Sequence, residues 1–224
     1  MSHFLRGLGV INVQTTRCSS PRSCRKEVVE DRTKEVIIME DNKNLNGIQV
    51  DKLFDMIESI KRNPNLAQFR FRATNRWVDG THNQARIDGF YGAGREHKSR
   101  EEPLVLDEDE PPVLLGKNLG ANPVEFVLTA LSGCLTTSLI AQAAVRGIRL
   151  RKVESRLEGD LDVRGFLGMS EEVRNGYRNI RVTFKIKGDA SQEELRELLE
   201  LARKRSPVFD IVSHPVPVSV ELEA

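Results

Sequence analysis

The chain has 224 residues, enough for one sizeable domain with its own core, and its 30% charged and 39% hydrophobic content is ordinary for a soluble globular protein. Against 34 basic side chains stand 33 acidic ones, so the net charge of +1 offers no excess for holding nucleic acid or a membrane surface. Three cysteines without a Cys-x-x-Cys pair give neither a disulfide framework nor a zinc site, and a reducing, cytoplasmic setting is expected.

Residues 1–46 read as an N-terminal extension outside the fold. The first part of it carries Arg6, Arg17, Arg22, Arg25 and Lys26 without an acid. That composition fits an organellar transit peptide, or a disordered stretch upstream of a start at Met39. Residues 47–67 form a helical lead-in. Asp51 opens a helix with Leu53, Phe54, Ile57 and Ile60 on one side, and Pro64 ends it by disfavouring helical backbone at Asn63.

The main domain is expected over residues 68–224. "QFRFRATNRWVDGTHNQARIDGFYG" predicts a β-hairpin turning at Asp79-Gly80. Phe69, Phe71 and Ala73 alternate with Arg70, Arg72 and Thr74, so one face should be buried and the other rich in arginine. "EEPLVLDEDEPPVLLGKNLGANP" then reads as a linker with a solvated acidic run, Asp107 to Glu110, which lacks calcium-loop spacing.

Asn122-Pro123-Val124-Glu125 starts a long central helix. Asn122 is the N-cap, Pro123 suits the first turn, and Glu125 reaches back to complete a capping box. Gly147 closes the helix as its C′ residue. Leu128 to Gly147 is almost wholly apolar or small, so the helix should be buried on most sides, in the core or against a partner's helix. Thr129, Ser132, Thr136, Thr137, Ser138 and Gln142 argue against a membrane span.

The remainder reads β-β-α-β. Strands follow in "LRKVESRLEGDLDVRG" and "YRNIRVTFKIKG", the latter with Ile180, Val182, Phe184 and Ile186 on one face. Ser191 and Glu194 cap a helix whose stripe is Leu195, Leu198, Leu199 and Ala202. A last strand is expected with Val216, Val218, Val220 and Leu222 inward, and Pro215 and Pro217 marking an edge or a strand start. The class is α+β, a long buried central helix against antiparallel sheet.

Cys134 is the one cysteine inside a structured element, and two readings are open for it. Free cysteine packs as a small hydrophobe. A nucleophile would need a cation nearby to favour the thiolate, because the helix dipole acts in the terminal turns. His3, His82, His97 and His214 form no close ligand pair, and neither a metal nor a cofactor is implied.

The segments "NPVEFVLTALSGCLTTSLIAQAAVRGIRL", "VESRLEGDLDVRG" and "SPVFDIVSHPVPVSVELE" resemble the OsmC/Ohr family of osmotically inducible and organic-hydroperoxide-resistance proteins. The resemblance runs from about Phe69 to Glu223. It implies an intertwined homodimer whose subunits share two sites, and a peroxiredoxin-like thiol peroxidase active in oxidative stress. In that family the central-helix cysteine attacks the peroxide and a second cysteine closes a disulfide, with an arginine and a glutamate favouring the thiolate.

Carried onto this chain, Cys134 matches the peroxidatic position. The resolving position is Ser206, which cannot form a disulfide. The supporting glutamate is expected where Val124 stands, with Glu125 one position on. Arg76 is the first choice for the arginine and Arg86 the alternative, while His82 or Glu125 would orient the group. The resemblance thus implies single-thiol chemistry on an organic hydroperoxide or other electrophile, an apolar small-molecule substrate and an external thiol reductant. The alternative is a non-catalytic binding protein on the same fold.

Overall fold

The computed structural model describes residues 44–98 and 101–223, all within one compact unit. Apart from residues 44–46, the expected extension lies outside the described residues, with Met39, Cys18 and Cys24. Strands β1 (Asn44–Leu45) and β2 (Ile48–Gln49) make a short ribbon. At its turn, the Asn46 amide donates to the Ile148 carbonyl and accepts from the Leu150 N–H, both at 2.8 Å. Helix α1 (Val50–Arg62) then runs with Leu53, Ile57 and Ile60 half-buried, and stops before Pro64 as the sequence predicts.

Next comes an antiparallel three-stranded sheet of β3 (Thr74–Asp79), β4 (His82–Ile87) and β7 (Leu104–Glu108), in the order β3-β4-β7. Between β4 and β7 a small ribbon, β5 (Phe90–Gly92) and β6 (Arg95–His97), projects as its own pair. The expected hairpin is therefore present but shorter. Residues 69–73 leave its ladder, and Arg70 bridges Tyr91 instead. The expected buried face is also corrected, since Phe71 is 74% exposed and Trp77 72% exposed. Phe69 stacks on Phe71 and Phe90, Phe71 meets Phe90 at a tilt, and His97 lies on Phe90, so these rings cover each other rather than a core.

The acidic run is corrected as well. Asp107 and Glu108 end β7, and Asp109 is buried. Its carboxylate accepts from the Thr81 hydroxyl at 2.6 Å and from the backbone N–H groups of Glu110, Lys117 and Leu119 at 2.9 to 3.1 Å. The turn of residues 110–119 folds tightly around it. A Cβ at Gly116 would lie 1.8 Å from the Glu110 carbonyl oxygen, so only glycine fits there.

The central helix α2 (Pro123–Val145) has the predicted capping box. The Val124 N–H donates to the Asn122 side chain at 2.9 Å, and the Asn122 N–H to Glu125 at 2.9 Å. Gly147 takes the left-handed conformation just beyond the helix, with φ at 70°. The helix is long and apolar enough to cross a membrane by length and composition, yet it packs against β8 (Leu150–Asp160), α4 (Gln192–Arg205) and α5 (Pro207–Ser213). Its buried stripe is Leu131, Leu135, Leu139 and Ala143 at four-residue spacing, with Ala144 beside it. The other faces are half-buried or open within one chain.

β8 pairs antiparallel with β9 (Asn179–Gly188) through the short helix α3 (Val163–Phe166) and the loop after it. Along β9, Ile180, Val182, Phe184 and Ile186 are half-buried and their neighbours exposed, as the alternation predicts. Leu139 and Ala143 meet Leu195, Leu198 and Ala202 of α4 in the main core, against Val153 and Ile186 of the ribbon. The expected last strand is absent. Helix α5 occupies 207–213, and the tail beyond it, where the strand is expected, is unpaired, with Val220 91% exposed.

Candidate functional site

Cys134 lies midway along α2, adjacent in sequence to the buried Leu135 and about 100° round the helix from it. It is therefore half-buried at the border of the core stripe, and it is a free thiol. The helix N-terminus is three turns away, too far for its dipole to act strongly on the sulfur. Any activating charge has to come from another element.

The arginine-rich hairpin is one such element. Strand register sets Arg76 of β3 opposite Gln84 of β4, and Gln84 opposite Asp107 of β7. These three side chains share one face of the sheet because facing residues on paired strands point the same way. The Arg76 guanidinium donates to Gln84 Oε1, and Gln84 Nε2 donates to Asp107 Oδ1 at 2.8 Å. His82 Nε2 meets the same oxygen at 2.7 Å. Donation from Gln84 first, and from His82 second, holds the Asp107 carboxyl below the usual carboxylate range. With Asp107 ionised, the network assigns the proton to His82 Nε2.

Two predicted site residues, Arg76 and His82, are thus joined by two that sequence reasoning passed over. The signal for Gln84 was there, since residues 82, 84 and 86 alternate onto one face. Asp107 was hidden because β7 was read as linker. A cleft of about 410 Å³ opens on this face, lined by Thr74, Asn75, Arg76, Gln84, Arg86 and Val105. Arg86 differs from Arg76 in being clasped by Asp88 through two hydrogen bonds of 3.0 and 3.2 Å.

The remaining predicted residues sit apart. Glu125 is spent on the helix cap, its carboxylate accepting from the Asn122 N–H. Ser206 is buried at the joint between α4 and α5, where its hydroxyl accepts from the Phe209 N–H at 3.2 Å as the N-cap of α5. Within one chain the main packing partners of α2 are β8, α4 and α5, not the β3-β4-β7 sheet. That sheet meets the start of α2 through a bridge of Glu108 with Ala121 and a hydrogen bond from the Asn122 amide to Glu110. Among the described residues, no three His, Cys, Asp or Glu side chains gather into a set that would hold a metal ion.

A long central helix laid across an antiparallel ribbon, with a separate hairpin sheet before it, is the α+β arrangement of OsmC-like proteins. Residues 116–221 match the family model described as OsmC-like protein. The structure is similar to that of an OsmC-like protein from Mycoplasma pneumoniae, with a TM-score of 0.51 and 16% identity, covering 65% of this chain and 89% of that one. It is similar at lower scores to an organic hydroperoxide resistance protein OsmC from Legionella pneumophila, with a TM-score of 0.44, 17% identity and coverage of 64% and 90%. An organic hydroperoxide resistance protein from Elizabethkingia anophelis matches with a TM-score of 0.45, 16% identity and coverage of 65% and 91%. Likeness at these identities establishes the fold, and it rests on the first of the three. No curated protein matches the chain.

Proposed function

We propose that this protein is a one-cysteine thiol peroxidase of organic hydroperoxides, working as a homodimer in a reducing compartment. The observation that carries this reading is the placement of Cys134, a free and half-buried thiol in the middle of α2, inside the span that matches the OsmC-like family. In the reaction the Cys134 thiolate attacks the terminal peroxide oxygen. The S–O bond forms as the O–O bond breaks, and the alkoxide leaves and takes a proton to become the alcohol. The product is a cysteine sulfenic acid.

Ser206 provides no thiol to resolve that sulfenic acid. An external thiol condenses with it, releasing water and forming a mixed disulfide; a second thiol then frees Cys134 and leaves as the oxidised pair. Arg76 is assigned to stabilise the thiolate and the developing alkoxide. It suits that work better than Arg86, because its orienting partner is a neutral amide rather than a carboxylate. Since the main packing partners of α2 within one chain are β8, α4 and α5, Arg76 would reach Cys134 from the other subunit.

A second reading is favoured by the same two facts. A serine at the resolving position, and no cation bonded to Cys134 among the described residues, suit a binding protein that keeps the fold and not the chemistry. Stopped-flow mixing of reduced protein with cumene hydroperoxide, followed by intact mass, decides between them. The peroxidase gains one oxygen in the fast phase, and Cys134→Ser gains none. Equal inertness of both proteins sinks the peroxidase and leaves the binding protein.

A further inference from the structure

We propose that Asp107, acting through Gln84, is a positioning residue that aims the Arg76 guanidinium; this rests on the reading that Arg76 serves Cys134. Arginine has donors and no acceptor, so an acceptor must face it if it is to be held. Gln84 can turn either its oxygen or its NH2 group towards Arg76. Asp107, an acceptor on both oxygens when ionised, draws the NH2 group to itself at 2.8 Å and leaves Oε1 facing Arg76. Without that acceptor the amide is free to turn, and donor would then face donor. His82 braces the hub by sharing Asp107 Oδ1 from the adjacent end of β4.

The amide spacer has an electrostatic consequence. Elsewhere in this region arginines are clasped directly by carboxylates, Arg72 by Glu96 and Arg86 by Asp88, each through two hydrogen bonds. Such a clasp fixes geometry but cancels much of the charge locally. Gln84 moves the carboxylate one side chain back, so Arg76 is oriented while its charge faces the cleft. A guanidinium meant to meet an anion needs both properties together.

The test is a double-mutant cycle on the second-order rate of Cys134 oxidation by cumene hydroperoxide, using the reduced full-length protein. Arg76→Ala should slow the reaction by on the order of a hundredfold, the range for loss of one oxyanion donor. Asp107→Leu removes the acceptor and should slow it by about tenfold or more, the scale of a displaced catalytic group. Asp107→Asn keeps an acceptor oxygen and should restore most of that loss. In the Arg76→Ala background, Asp107→Leu should add no further loss, because a relay has nothing left to aim.

Additive losses, or a wild-type rate in Asp107→Leu beside a slow Arg76→Ala, overturn the inference and leave the peroxidase reading intact. A wild-type rate in Arg76→Ala overturns the assignment of that arginine and the inference with it. Should Asp107→Leu lose its circular dichroism signal, Gln84→Leu cuts the same relay and is read by the same cycle.

Discussion

Around the Asp109 carboxylate, the Thr81 hydroxyl meets three backbone N–H groups of a turn that includes Leu115 and Asn118 in left-handed conformations. The Thr81 hydroxyl first, and then the backbone donors, bring its pKa down to about 2. In the unfolded chain the carboxyl titrates near its ordinary value of 3.8. A depressed folded pKa means that this group stabilises the fold fully above about pH 4, and that the contribution is lost as pH falls towards 2. We therefore expect urea midpoints measured from pH 5 down to pH 2.5 to fall in that window, and the fall to be smaller in Asp109→Asn. An unchanged acid profile in the variant would locate the acid sensitivity elsewhere. None of this was legible in four consecutive acids. Charge density predicts hydration, whereas the donors that reverse it come from Thr81, Lys117 and Leu119, distant in sequence. Gly116 was the available hint, as a residue forced by close approach.

Among the elements, those governed by local chemistry were readable and those governed by distant pairing were not. The start of α2 follows from Asn122, Pro123 and Glu125, and the start of α4 from Ser191 and Glu194, because caps are satisfied within one turn. Replacing Asn122 with alanine should cost about 1 kcal/mol in chemical denaturation, the usual worth of such a cap. Leu139→Ala, at the fully buried centre of the helix stripe, should cost roughly 2–5 kcal/mol, since the cavity cannot close against both α4 and the ribbon. A cost under 1 kcal/mol at Leu139 would mean that the α2–α4 contact is not the core. Residues 69–73 and the tail after Ser213 alternate as strands should, yet alternation names a face and not a partner. Helix α5 carried a local signal all the same: Ser206 caps it and Pro207 opens it.

At the scale of the molecule, one chain leaves much apolar surface uncovered. Trp77 and Leu104 on the hairpin sheet, Val127 and Val145 on α2, and the tail from Val216 to Leu222 are all exposed. A second copy would cover such side chains if the proposed dimer forms. Sedimentation velocity should then give twice the mass of the 25.3 kDa chain. A chain ending at Ser213 should shift towards the monomer if the tail contributes to the interface. A persistent monomer in the full-length protein would remove the route by which Arg76 reaches Cys134.

The tail also carries a polarity set by its two prolines. In an extended strand, the N–H groups of successive residues point to opposite edges. Pro215 and Pro217 therefore strip two donors from the same edge, while Val216, Val218, Val220 and Leu222 keep theirs on the other. Such a strand would pair more fully along one side than along the other over residues 215–218. If the tail joins a sheet in the proposed dimer, the side bearing the two prolines is the poorer template for a further strand, which favours a closed pair over an open fibre.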